Sequence, residues 1–389
     1  MGANSNVAQV IINNLGGITS LVQQLILYKG AQALPQELWI LNIKTNINTP
    51  AIIDPDLHGT VNQFCIDPAD NWYYTYGKLA NALSKKEGIL VSNDQYDLIM
   101  LQAFNIPRKV VQLVHDPYNV TLALKFHECI DIFIAHSHYI YDSLLQQLPA
   151  REGDIFHLPY GIPISASFQK KHNQYQPLQL LFIGRHDKAK GVYDLFEINR
   201  LLKEKAIPVQ WTILGKGPET ENLKAQWINE PNVKFETPIN TEGVLQAALH
   251  NDVLVFPTKF EGFPVALLEA MSMGCVPVVT DLPGGIRELV EDGITGYKCG
   301  MDDNIAFAAT IQSLHFNREF LYQLQLEVTD LVSNNFDVKK QAPLYQELFK
   351  RTAANPAAPL HHQVHKKIGS RLDQAWLPNF ITQSIRKFT

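Results

Sequence analysis

Apolar residues along this chain come in short runs that end on polar residues or glycine, with helix-like stretches between them. The run beginning at Val7, "VAQVII", leads to Gly16-Gly17, and "ITSLVQQLILY" follows with three-to-four-residue spacing. The chain therefore opens strand, glycine turn, helix. "ELWILNI", "GILVSND", "KVVQLVHD" and "DIFIAHS" repeat the theme, separated by segments such as "YYTYGKLANALSKKE". Near-continuous apolar strands alternating with helices predict a parallel sheet covered on both faces.

Around "HLPYGIPISASFQKKHNQYQP", residues 157–177, the pattern lapses into Pro, Gly, Ser and Gln, and a linker is expected there. Alternation restarts with "LQLLFIGR", "VQWTILG", "VKFET", "VLVFPT" and "VPVVTD", which predicts a second doubly wound domain. The 389 residues agree, since one hydrophobic core rarely grows so large. The expected division is 1–165 for a first Rossmann-like domain and 166–335 for a second. A helix over 336–351 is expected to cross back toward the first, leaving a tail at 352–389. Ligands bind at the carboxyl ends of such strands, so the two domains are expected to face each other across one cleft.

Bulk composition narrows the function classes. With 46% hydrophobic and 18% charged residues the chain is globular rather than disordered, and a formal charge of -5 gives no reason to expect nucleic-acid binding. The N-terminus lacks a basic segment followed by an apolar one, and no apolar run reaches the roughly 18 residues needed to span a bilayer. A cytoplasmic location is expected. Cys65, Cys129, Cys275 and Cys299 are scattered and form no Cys-x-x-Cys or Cys/His cluster, so they read as buried or free thiols.

The tail differs from the rest. Residues 350–389 hold seven Lys/Arg against Asp373 alone, whereas the first 165 residues hold nine against fourteen Asp/Glu. Two readings stand: the basic tail packs back on the acidic first domain, or Trp376, Phe380, Ile381, Ile385 and Phe388 form an interfacial face with basic flanks. The second reading would place the chain peripherally at the inner face of a membrane.

Candidate chemistry concentrates in "KFEGFPVALLEAMSMGCVPVV", Lys259 to Val279. Pro264 suits the first turn of a helix, where its missing N–H costs nothing, and the apolar residues after it continue that helix. Glu261 then lies in the preceding loop and Glu269 lies inside, roughly 7–8 Å along the axis from Pro264. The two carboxylates cannot form one acid-base pair on one helical face. Amides near Gly262 and Phe263 at such a helix start favour an anion. The layout fits a sugar nucleotide, with the diphosphate at the helix start and one carboxylate for hydroxyls on either side; a capping acid plus a structural Glu fits as well. Upstream, "LLFIGRHDKAKG" places Arg185, Lys188 and Lys190 at the carboxyl end of a strand, as a phosphate clamp or as a solvated basic turn.

Taken in order, "FIGRHDKAKG", "ILGKGPE", "NVKFETPI", "VLVFPTKFEGFPVALLEAMSMGCVPVVTDLPGGIRELVEDGITGY" and "NNFDV" resemble the donor domain of family 4 glycosyltransferases, retaining enzymes of the GT-B fold with an E-x7-E motif. The resemblance is strong from about Leu180 to Phe349. It continues more weakly into the first 165 residues through "NLGG", "LVHDPY" and "LPYGI". It implies that Arg185 and Lys190 clamp the donor diphosphate beside Gly184. It implies further that Glu261 contacts the transferred sugar at the reacting centre, that Glu269 holds the ribose, and that the stretch Gly262, Phe263, Pro264, Val265 helps cradle phosphate or sugar through its amides, the share of Pro264, which has no N–H, coming from its neighbours. Gly16 and Gly17 match the family's N-terminal glycine loop, and His115 matches a histidine near the sugar, although a His capping a strand end reads the same way. Thr237, Pro238 and Ile239 fall where the family reads the base. Gly284, Gly285 and Glu288 match a turn taken as chiefly structural.

The implied reaction is front-face sugar transfer with retention, from a nucleotide-diphosphate sugar to a glycan, polysaccharide or lipid-linked acceptor, with no cofactor and no metal. Arg185, Lys190 and the helix start would supply the positive field that a metal supplies elsewhere. Competing readings remain: a sugar-nucleotide epimerase, or a non-catalytic GT-B partner subunit. A Rossmann dehydrogenase is disfavoured, since "GKGPET" at Gly215 offers Gly-x-Gly without the third glycine. "DPD" at Asp54 to Asp56 reads as a turn.

Overall fold

The computed structural model describes residues 5–46, 50–164, 176–237 and 241–387. The chain divides into two compact units, Met1–Gly161 with Lys339–Thr389, and Ile162–Val338.

In the first unit the strands are β1 (Ser5–Ile12), β2 (Gln36–Ile43), β3 (Val61–Ile66), β4 (Glu87–Ser92), β5 (Arg108–Val114), β6 (Ile132–Ala135) and β7 (Ile155–His157). They form one parallel sheet in the order β3-β2-β1-β4-β5-β6-β7. Centre and edge differ as burial requires. All seven residues of β5, "RKVVQLV", are buried, as in a strand covered on both faces. The edge strand β3, "VNQFCI", buries only Ile66, and its mixed pattern gives no strand signal in the sequence. Side-chain oxygens start the crossover helices: Asn71 accepts from the Tyr73 amide at 3.0 Å, Asp116 from Asn119 at 2.9 Å and Ser137 from Ile140 at 3.2 Å.

The second unit has β8 (Leu178–Ile183), β9 (Val209–Leu214), β10 (Val233–Glu236), β11 (Val253–Phe256), β12 (Val276–Thr280) and β13 (Tyr297–Cys299), in the order β10-β9-β8-β11-β12-β13. All pairings in both sheets are parallel. Trp211 and Trp227 pack edge to face at 5.7 Å in its core. Each sheet is thus of the doubly wound kind that the sequence predicts.

The division differs from the expected one in a definite way. The first unit ends at Gly161 rather than near 165, because Ile162 is bonded within the second unit: its N–H donates to Phe336 O at 2.8 Å, and its carbonyl accepts from Val338 N–H at 2.9 Å. Residues 339–389 return to the first unit, including most of the helix Val338–Ala354. Val364 and Ile368 enter its hydrophobic core. Phe388, one of the five apolar positions read in the tail, lies outside the described residues.

Asp54 caps a short 3-10 turn at Pro55–Thr60 by accepting from the Asp56 amide at 3.0 Å, so the "DPD" segment is a turn. All four cysteines are thiols outside any disulfide, with Cys129, Cys275 and Cys299 buried. Among the described residues, no helix is long and apolar enough to cross a membrane.

Candidate active site

The second sheet reverses its strand order between β8 and β11, the point where flanking loops part and ligands bind in doubly wound folds. Both loops there are charged. After β8, Asp187 caps the turn at Lys188–Lys190 by accepting from the Lys190 amide at 3.2 Å, and its carboxylate also pairs with the Arg185 guanidinium at 2.6 Å. The turn closes at Gly191 with φ of +66°, where a Cβ would lie 1.9 Å from the Pro257 carbonyl oxygen. Only glycine lets this turn lie against the loop after β11. The contact is sealed by Lys259 N–H donating to Ala189 O at 2.8 Å. It brings Lys190 Nζ into an ion pair with Glu261 and within 3.2 Å of the Phe260 carbonyl.

The segment after Glu261 is held from a third loop. Gly285 N–H donates to Gly262 O at 3.1 Å, and a Cβ on Gly285 would meet the Phe263 ring at 2.7 Å. The Gly284-Gly285 turn, read as structural, is therefore the brace of the 262–263 loop. Pro264 falls one place earlier than expected. It has ψ of 99° and precedes the helix Val265–Ser272 rather than beginning it, and its carbonyl accepts from the Leu267 and Leu268 amides at 3.1 and 3.3 Å. The amides of Val265 and Ala266 have no acceptor among the described residues, which leaves two donors at the positive end of the helix.

Glu269 sits within that helix, 7% exposed. No hydrogen bond reaches its carboxyl group among the described residues, and burial alone pushes it up to about 8. A buried carboxyl group without donors carries a desolvation cost that a hydroxyl-bearing ligand offsets. Gly184 follows β8 directly and donates to Leu214 O at 3.0 Å. Thr237, exposed after β10, donates to Gly215 O at 3.3 Å, while Pro238 and Ile239 lie outside the described residues. Among the described residues, no three His, Cys, Asp or Glu side chains converge as metal ligands.

The first sheet reverses between β1 and β4. Gly16 stands just after β1, preceding the helix Gly17–Leu27, and its backbone is extended with nothing within 4 Å of the place a Cβ would take. Neither backbone strain nor packing within the unit demands glycine there.

His115, at the end of β5, is buried and has both ring nitrogens occupied. Asn93 Nδ2 donates to Val10 O at 2.8 Å, which fixes Asn93 Oδ1 as an acceptor. His115 Nε2–H therefore donates to Asn93 Oδ1 at 2.9 Å, and Nδ1 accepts from the Tyr160 hydroxyl at 2.6 Å. The ring stacks at 5.0 Å on His136, which stacks at 4.2 Å on Tyr160. Burial and the neighbouring His136 hold His115 well below the usual histidine range, so it is neutral.

The structure thus gathers Arg185, Lys190, Glu261 and the 262–265 loop at adjoining loops of one unit, with Glu269 on the helix that follows, whereas Gly16, Gly17 and His115 belong to the other. Three contributors escape sequence reading. Asp187, which organises both clamp cations, was legible in principle from the cap spacing Asp187-x-x-Lys190. Tyr160 and Asn93, which fix the His115 tautomer, carry no local signal, since 45 and 22 residues separate them from it.

Comparison with known proteins follows the same geography. The family model for glycosyl transferases group 1 matches residues 177–317, which contain every charged residue of the second-unit site. The putative colanic acid biosynthesis glycosyltransferase WcaL of Salmonella typhimurium is 33% identical over 147 residues, 35% of this chain and 35% of its own length. The amylovoran biosynthesis glycosyltransferase AmsK of Erwinia amylovora is 32% identical over 149 residues, 36% of each chain. The chain spans about a third of the length of these curated relatives. Among solved structures, HepE of Anabaena in complex with UDP and glucose superposes with a TM-score of 0.70 at 17% identity, covering 89% of this chain and 99% of HepE. At that identity the likeness shows the fold, and the fold is GT-B.

Proposed function

We propose that the chain is a hexosyltransferase that moves a sugar from a nucleotide-diphosphate sugar to an acceptor hydroxyl of a glycan, polysaccharide or lipid-linked glycan, with retention and without a metal. The observation that carries this reading is the Lys190–Glu261 ion pair, set beside two open helix-start amides and a buried carboxyl group without donors. The match of residues 177–317 to group 1 glycosyl transferases supports it, as do relatives named for colanic acid and amylovoran biosynthesis.

In this reading the diphosphate takes the place opposite Lys190 that Glu261 holds in its absence. Arg185, Lys190 and the Val265 and Ala266 amides bind its oxygens, and Glu261 turns to the hydroxyls of the sugar. Glu269 accepts from the ribose hydroxyls. The bond between the anomeric carbon and the diphosphate oxygen breaks toward this positive field. The acceptor oxygen then bonds to the same face of the sugar, and its proton passes to the departing diphosphate. The first unit serves the acceptor, with His115 kept neutral and oriented by Asn93 and Tyr160.

The test is to incubate the protein with UDP-, GDP- and ADP-hexoses, follow diphosphate release, and read the product's anomeric proton by NMR. We expect one donor to be consumed, a product with the donor's anomeric configuration, and a rate changed less than about twofold by EDTA, since the positive field comes from side chains and amides. Inversion, or loss of activity with EDTA, contradicts the mechanism. A nucleotide-bound epimer formed without acceptor contradicts transfer itself.

A further inference from the structure

The last helix, Asn379–Arg386, is amphipathic the wrong way round for a soluble domain. Its polar face is the one turned to the protein. Asn379 Nδ2 and Gln383 Nε2 donate to Asp70 Oδ1 at 2.9 and 2.6 Å, and Thr382 Oγ1 donates to Leu372 O at 3.1 Å. The Arg386 guanidinium reaches Pro68 O at 3.1 Å and Asp373 Oδ2 at 2.6 Å. At about 100° per residue these four side chains occupy one side of the helix, and Phe380, Ile381 and Ile385 occupy the other. Phe380 is 68% and Ile385 41% exposed, and Trp376, just before the helix, is 78% exposed. The two sequence readings of the tail are therefore compatible: it packs on the first unit through polar contacts, and in doing so turns its apolar side chains outward.

We propose that this outward face docks the chain on an anionic lipid surface. Two observations select a membrane over a protein. First, with Trp376 78%, Phe380 68% and Ile385 41% exposed, a side chain's about 150–250 Å² leaves the three together only about 300–450 Å², about half of the roughly 800 Å² per partner that a stable protein interface buries. A shallow interfacial insertion needs no more than one helix face. Second, the patch is flanked by cations left over from internal pairing. Lys366 pairs with Glu128 and Arg386 with Asp373, whereas Lys367 and Arg371 are exposed and form no ion pair among the described residues, and Lys387, also exposed, acts on Asp67 only through its field. An exposed Trp and Phe beside unpaired Lys and Arg match an anionic headgroup layer in both polarity and charge.

The test is flotation of the full-length protein with vesicles of equal phosphatidylglycerol and phosphatidylcholine, and with phosphatidylcholine alone. We expect binding to the anionic vesicles, at least about tenfold weaker binding to the neutral ones, and weakening as salt is raised. Trp376→Ser with Phe380→Ser should weaken anionic binding by about tenfold or more. Lys367→Glu with Arg371→Glu and Lys387→Glu should weaken it similarly. All these side chains are exposed, so folding should survive. As a check independent of folding, Trp376→Phe should keep binding while losing most of the fluorescence quenching by brominated lipids. Equal binding by wild type and the Trp376/Phe380 variant overturns the proposal. So does self-association in light scattering without vesicles that the same variant abolishes, which would make a second copy the occupant.

Discussion

The two sheets reverse their strand order at equivalent places, between β1 and β4 and between β8 and β11, yet what stands at the two places differs. At the second-unit crevice, charges meet at the surface: Arg185 on Asp187, Lys190 on Glu261, and a buried carboxyl group nearby without donors. At the first-unit crevice the bonding is mostly internal, although Nε2 of the buried His136, stacked on His115, has no hydrogen-bond partner among the described residues. His115 has both nitrogens bonded, and the glycine loop carries no charge. One crevice is built of opposed charges and the other of neutral, hydrogen-bonded rings, so the two should answer mutation differently.

The largest contrast is kinetic. Lys190→Ala, Arg185→Ala and Glu261→Gln should each lower kcat/KM by roughly a hundredfold or more, the range for removing a charge partner of a transition state. A hundredfold is about 2.7 kcal/mol. Donor-turnover assays on folded variants check this, and near-wild-type values for Lys190→Ala would remove the clamp assignment.

Next is a pH effect at Glu269 in the second unit. Burial raises Glu269 from 4.5 to about 8, so between those values the native state holds a proton that the unfolded chain has lost. Stability from this group is therefore full below pH 4.5 and declines as pH rises toward 8. Glu269→Gln removes the effect, so the variant should gain on wild type by about 1.4 kcal/mol per pH unit between pH 5 and 7, and nothing below about pH 4. Denaturant unfolding at several pH values checks it, and parallel curves would contradict it.

Smaller still is the effect of His115→Phe. It strips partners from Asn93 and Tyr160 and should cost about 1–3 kcal/mol of stability while leaving nucleoside-diphosphate affinity within about twofold. Unfolding and calorimetry separate the two, and weakened diphosphate binding would move His115 into the donor site. Smallest is Gly16→Ala, which should change stability by less than about 0.5 kcal/mol, since the backbone is extended and the space open. A larger loss, by thermal unfolding, would mean that Gly16 is structural.

How far the sequence foretold this molecule follows the same divide. β5, β8 and β11 announce themselves as apolar runs; Glu269 stands out because an apolar helix has no local reason to carry it, and Glu261 because it stands in the loop just before that helix. The edge strand β3 gives no local signal because Gln63 and Cys65 are exposed and polar Asn62 interrupts the opposite face, which erases the apolar pattern. The domain boundary slipped because Ile162 is claimed by residues more than 170 positions later, a pairing no local signal encodes. The tail's composition showed an amphipathic helix but not which face would turn inward. Asp70 decides that, and it lies about 310 residues away.

The central claim is that the charged loops after β8 and β11 form a diphosphate-sugar site. Calorimetric titration with UDP, GDP and ADP, without metal, against wild type and Lys190→Ala tests it most directly. The account predicts saturable binding of one diphosphate to wild type and at least about tenfold weaker binding to a folded Lys190→Ala, the loss expected for one charge-assisted contact. Equal affinity in the two proteins, or no binding of any of the three to wild type, would contradict it.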